Sequence, residues 1–114
     1  MLMDFKKRKK MINTIKKLLG FGPAVNFKEL MNNGAQIIDV RTKGEYQGGH
    51  IRGSVNIPLN TLQQSLSKIK KDKPVITCCA SGMRSASAKS ILKASGFAEV
   101  HNGGGWMSLN NKIK

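Results

Sequence analysis

Two adjacent cysteines head the run Cys78-Cys79-Ala80-Ser81-Gly82-Met83-Arg84-Ser85, which follows the apolar stretch Pro74-Val75-Ile76-Thr77 and precedes a helix-like segment. A short buried strand that delivers a cysteine into a turn of small residues opening a helix aims several backbone N–H groups, and the helix's positive end, at one sulfur. Such groups favour thiolate over thiol. The chemistry on offer is nucleophilic attack by an ionised sulfur, with Arg84 available to an anionic substrate.

Two spacings compete, because Cys79 stands five positions before Arg84 and Cys78 stands six. A cysteine separated from Arg by five residues, with Ser next, is the pattern with which cysteine phosphatases wrap a phosphate; the guanidinium then clamps the anion bidentately. Cys78 is the nucleophile in that frame. Starting from Cys79 the loop is one residue tighter, which suits sulfur. Strand alternation turns successive side chains to opposite faces, so Cys78 beside Val75 to Thr77 reads as a small core filler, whereas Cys79 has no such role. A resolving role for Cys78 toward a persulfide or oxidised Cys79 is disfavoured, since a bridge between neighbours is strained.

In the tighter frame, Cys79-Ala80-Ser81-Gly82-Met83-Arg84-Ser85 resembles the active-site loop of rhodanese-like sulfurtransferases, where Cys, a Gly three later and Arg recur. Ile38-Asp39-Val40-Arg41, Glu45-Tyr46, Gly48-Gly49-His50-Ile51-Arg52-Gly53-Ser54 and Asn56-Ile57-Pro58-Leu59 resemble the family's signature ahead of the active strand, so the likeness covers residues 24 to 111. It implies a three-layer α/β fold with a mainly parallel central sheet and helices on both faces. It also implies transfer of a sulfane sulfur, from a donor such as thiosulfate to a thiol or cyanide acceptor, through a persulfide on Cys79. Ala80, Ser81, Gly82, Met83 and Arg84 would form the loop that binds substrate and persulfide, with no metal or organic cofactor. The implied partners are a small anionic sulfur donor and a thiol acceptor, thioredoxin-like or another protein thiol. Arg84 has two readings, an anion clamp or a structural residue paired with a carboxylate. Asp39, Arg41, Glu45 and His50 have the types of a base and its orienter, but their family counterparts are largely structural, and a nucleophile held by a helix N-terminus needs no adjacent base.

A cysteine phosphatase or arsenate reductase working from Cys78, and a non-catalytic sulfur-relay or binding module of the same fold, are the alternatives. Gly82 three residues after Cys79, Thr77 where a phosphatase commonly carries His, and a loop without acidic residues favour the sulfurtransferase.

The elements that must position this loop alternate along the chain. Asn26 with Glu29 predicts a helix start and Asn33-Gly34 its stop. Residues 35–40 form a nearly continuous apolar strand, followed by Arg41-Thr42-Lys43-Gly44 as a polar loop. A glycine-rich turn at 48–53 leads to a short strand at 54–58. Thr61 with Gln64 then predicts a capped helix with Leu62, Leu66 and Ile69 as its apolar stripe. Strand 75–77 precedes a helix from about Arg84 to Gly96, with Ala88, Ile91 and Leu92 inward. Residues 99–101 make a last strand, after which Gly103-Gly104-Gly105 releases the chain into a helical turn at 106–109. Strands separated by helices imply right-handed crossovers and a ligand site beyond the strands' carboxyl ends. The glycine run lacks the strand and helix context of a dinucleotide site and is expected to permit close backbone approach near the thiol loop. His50 is expected to lock a turn, and His101 belongs to no metal constellation.

At 114 residues the chain fits one domain, 23–114, preceded by a basic segment at 1–22. Net charge is +14: the first twenty residues hold seven Lys or Arg and one Asp (+6), and the rest hold thirteen basic and five acidic residues (+8). That field attracts anions without choosing among them, and the scarcity of aromatics argues against nucleic acid. The N-terminal segment reads as a peripheral extension packed loosely on the domain, rather than as a surface helix for anionic lipid or an acidic partner. No apolar run reaches the roughly 18 to 20 residues of a spanning helix. Adjacent, reduced cysteines and an N-terminus without a continuous apolar core indicate a cytoplasmic protein, expected as a monomer.

Overall fold

A computed structural model describes residues 24–114, so the basic segment at 1–22 lies outside the described residues. The apolar stretches become strands: β1 is Gln36–Asp39, β2 Val55–Asn56, β3 Val75–Cys79 and β4 Val100–Gly105. They form one sheet in the order β2-β1-β3-β4, with every neighbouring pair parallel. All five residues of the central β3 are buried, as a strand covered on both faces requires.

The covers are α1 (Phe27–Asn32), α2 (Lys43–Gln47), α3 (Met83–Ala94) and α4 (Trp106–Ile113), with 3₁₀ turns at Leu59–Gln64 and Leu66–Lys68. One core unites Ile38, Val40, Leu62, Val75, Ala88, Leu92 and Phe97 with Cys79. The opposite core unites Phe27, Ile37, Ile51, Ile76 and Leu109 with Cys78. Each fully buried aliphatic side chain contributes about 1.5–3 kcal/mol, so the two cores press helices onto both faces of the sheet. The result is the expected three-layer α/β arrangement.

Three local expectations need correction. The segment of Leu62, Leu66 and Ile69 is 3₁₀ rather than α-helical, and Thr61 caps nothing, because its hydroxyl donates to the Pro58 carbonyl (3.0 Å) and Pro58 holds the capping position. Leu62 and Ile69 are buried all the same, because a three-residue turn also returns spaced apolar residues toward one side. The polar loop after β1 contains α2: the Thr42 hydroxyl accepts the Glu45 N–H (3.2 Å) while Glu45 Oε1 accepts the Thr42 N–H (3.1 Å), a complete capping box. The glycine run does not release the chain but belongs to β4. A Cβ at Gly103 would stand 2.8 Å from Ile76 Cγ2, Leu109 Cδ2 and the Thr77 carbonyl, so only glycine lets this strand close on β3.

Candidate active site

β3 ends at Cys79, where its pairing with β4 shifts register between Thr77 and Cys79. The chain then turns through Ala80 and Ser81 to Gly82, whose φ of +107° suits glycine, and enters α3. No side chain caps that helix by the usual hydrogen bond. Cys79 Sγ fills the place instead: it accepts the N–H of Gly82 at 3.0 Å and that of Ser85, the third residue of α3, at 3.4 Å. The Cys79 thiol also meets Ser85 Oγ at 3.5 Å. Burial alone pushes this thiol up, but the Ser85 hydroxyl, the Ser85 N–H and the N–H groups of Gly82 and Ser81 outweigh it. Cys79 therefore ionises below the ordinary cysteine value.

Ser85 is held in turn. Its Oγ lies 2.6 Å from Asn102 Oδ1 and 3.0 Å from the Gly82 carbonyl, while Asn102 Oδ1 accepts the Gly104 N–H at 2.9 Å and Asn102 Nδ2 donates to the Gly82 carbonyl at 3.4 Å. Asn102 thus ties β4 to the thiol loop. A Cβ at Gly105 would lie 2.9 Å from the Ala80 carbonyl, so close backbone approach of the glycine run to the loop is borne out. Sequence reasoning assigned roles to neither Ser85 nor Asn102. The third-residue position of Ser85 in the helix is a readable signal; for Asn102 only the register reveals the contact.

Arg84 is paired with a carboxylate: its two terminal nitrogens donate to Glu45 Oε1 (2.7 Å) and Oε2 (2.9 Å). Arg84, and then the Thr42 N–H, hold the Glu45 carboxyl down at about 2. Asp39 and Arg41 form a buried pair at 2.7 Å, and Arg41 also donates to the carbonyls of Gly49 (2.7 Å) and Glu45 (3.3 Å) under the Trp106 ring. These contacts lock the turn after β1. His50 does the same for α2, with Nδ1 2.7 Å from the Tyr46 carbonyl and its ring stacked on Tyr46. None of Asp39, Arg41, Glu45 and His50 is among the hydrogen-bond partners of Cys79 Sγ.

Cys78 points into the opposite core, where burial, and next the charge of Asp39, push its thiol up to about 12. It stays protonated at neutral pH. Ala80 and Ser81 are exposed, and Met83 is 81% exposed at the mouth of α3. No group of three or more His, Cys, Asp or Glu side chains arranged for a metal occurs among the described residues.

The family described as Rhodanese-like domain matches residues 24–112. The chain belongs to the rhodanese-like family. Over 81 residues it is 44% identical to the uncharacterized protein YqhL of Bacillus subtilis, an alignment covering 70% of this chain and 64% of that relative, just under two thirds of its length. It is 39% identical to the thiosulfate sulfurtransferase PspE of Escherichia coli over 70 residues, 60% of this chain and 67% of that one. Among solved structures, a rhodanese with anions from E. coli superposes with a TM-score of 0.62 at 34% identity, over 66% of this chain and 91% of the other. A rhodanese-like domain protein of Staphylococcus aureus gives 0.64 at 32% identity, over 74% and 86%. The rhodanese fold is thereby established for the chain, and its relatives include proteins named thiosulfate sulfurtransferases.

Proposed function

We propose that this rhodanese-like protein is a sulfurtransferase that carries a sulfane sulfur on Cys79. The observation that carries the reading is the convergence of the Gly82 and Ser85 N–H groups on a sulfur at the start of α3, with its pKa lowered. The thiolate attacks the outer sulfur of a donor such as thiosulfate; a bond forms between Cys79 Sγ and that sulfur, the donor's S–S bond breaks, and its electron pair leaves with sulfite. The negative charge of the persulfide is met by the loop's N–H groups, preorganised as for any developing anion. A thiol or cyanide then attacks the outer sulfur and releases the Cys79 thiolate, in ping-pong order. The +8 surplus of residues 21–114 favours approach of an anionic donor.

Arg84 acts in this scheme by tying α3 to α2 through Glu45. Cys78 faces the core opposite that of Cys79 and its pKa is raised, and both weigh against a phosphatase frame starting there. Two free thiols suit a reducing, cytoplasmic setting, and a monomer suffices for the chemistry. Thiocyanate production from thiosulfate and cyanide tests the proposal. Turnover should vanish in Cys79→Ser and persist in Cys78→Ala; turnover lost only with Cys78 would refute it.

A further inference from the structure

Beside the thiol loop, the Arg84 fork is already engaged by Glu45, and what the surface offers a substrate there is a groove. It measures about 290 Å³ and is lined by Val40, Thr42, Pro58, Leu59, Asn60 and Arg84. Val40 is buried in the core that contains Cys79 and Leu59 packs against it, so the groove opens on the side of the sheet to which the thiol belongs. At about 30 Å³ for each water-sized group, it accommodates on the order of ten, more than a small inorganic anion fills. Val40, Pro58 and Leu59 present hydrocarbon. A dianion moved against that hydrocarbon loses hydration, whereas an aliphatic side chain gains about 25 cal/mol for each Å² buried.

We propose that this groove is the acceptor subsite and takes the aliphatic flank of a peptide or protein segment whose cysteine thiol collects the sulfur. The proposal rests on the sulfur-transfer reading above. Met83, adjacent to Arg84 and 81% exposed, extends the apolar lip with a side chain that adapts to varied partners. Lys43, exposed next to Thr42, and the thirteen basic residues against five acidic ones in 21–114 select an acidic segment. Cys79 is buried, so an acceptor anchored beside the loop presents its thiol in one orientation, which substitutes for the lost freedom of a diffusing one. The acceptor sulfur, giving up its proton, bonds to the outer persulfide sulfur; the bond from that sulfur to Cys79 Sγ breaks, and Cys79 regains its thiolate. The proton ends on the departing acceptor persulfide, and no external oxidant or reductant takes part.

The test uses thiosulfate as donor and three acceptors: cyanide, and two blocked peptides with a central cysteine and terminal aspartates, one carrying leucines beside the cysteine and the other glycines. The leucine peptide should have a specificity constant about tenfold above the glycine peptide, the equivalent of burying one aliphatic side chain. Asn60→Trp fills the groove from an exposed position, Leu59→Gln makes its wall polar, and either should bring that ratio close to one. Equal constants for the two peptides in the unsubstituted protein, or a preference that survives both substitutions, would overturn the groove assignment while cyanide turnover leaves sulfur transfer intact. Absence of turnover with cyanide as well would overturn the sulfur-transfer reading and this one with it.

Discussion

Replacing Ser85 by alanine removes one identified support of the Cys79 thiolate and leaves the others in place. The hydroxyl stands 3.5 Å from Sγ, while the N–H groups of Ser85 and Gly82, at 3.4 and 3.0 Å, belong to the backbone and survive. In the neutral state the hydroxyl proton faces Asn102 Oδ1 at 2.6 Å; when the sulfur ionises, the hydroxyl can turn toward it, because Asn102 Oδ1 keeps the Gly104 N–H at 2.9 Å. The variant therefore leaves no buried acceptor without a partner and should fold. A hydrogen bond to a charged group is worth about 1.5–3 kcal/mol, and this long contact belongs at the low end. At about 1.4 kcal/mol per pKa unit, the Cys79 pKa should rise by about one unit. The assay is the rate of iodoacetamide alkylation against pH, followed by intact mass; Cys78, pushed up to about 12, stays silent over the neutral range. On the limb below the pKa, the variant should alkylate about tenfold more slowly at a given pH. A profile that does not move, or moves to lower pH, would refute the assignment of the hydroxyl as a thiolate donor.

Other outcomes follow from the same contacts. Glu45→Gln and Arg84→Lys should each lower kcat/KM for thiosulfate, and the double variant should be no worse than the worse single, since both break one tether; additive losses would mean that Arg84 meets the substrate itself. The Glu45 carboxyl titrates at about 2 in the fold against an ordinary 4.5, so its stabilisation is complete above pH 4.5 and is lost as pH falls toward 2; in Glu45→Gln the thermal midpoint should lose that dependence. The Cys78 thiol is raised from 9.0 to about 12, so stability is intact below pH 9 and declines as pH rises toward 12, by about 1.4 kcal/mol per pH unit. Urea midpoints of Cys78→Ala should accordingly fall less steeply over that alkaline range than those of the parent. Gly103→Ala places a methyl group 2.8 Å from Ile76, Leu109 and the Thr77 carbonyl, and it should lower stability to urea by about 1–3 kcal/mol.

The central strands were legible because both of their faces are buried: Ile37 and Ile38, then Val75 to Thr77, are apolar or small without alternation. The same logic turns the cysteines to opposite faces, but the reading of Cys78 alone as core filler needs correction, because Cys79 is buried as fully in the other core. What sequence left hidden depends on contacts made across the chain. The 3₁₀ path of Leu59–Gln64 shows apolar spacing close to that of an α-helix, and a five-residue helix such as α2 has too little periodicity to display. Glycines 103–105 carry no strand propensity, and the reason for two of them appears only in the fold, where a Cβ at Gly103 would meet Ile76 and Leu109 and one at Gly105 the Ala80 carbonyl. Arg84 and Glu45 lie 39 residues apart, so their pairing exists only in the folded chain. Asn102 is a polar residue whose purpose appears once β4 is set against Gly82 and Ser85.

A persulfide on Cys79 is read most directly from the intact mass of the protein after incubation with thiosulfate and removal of excess donor. The unsubstituted protein and Cys78→Ala should each gain the mass of one sulfur atom, which dithiothreitol removes, and Cys79→Ser should gain none. No gain in the unsubstituted protein, or a gain that persists in Cys79→Ser and disappears with Cys78→Ala, would contradict a persulfide on Cys79.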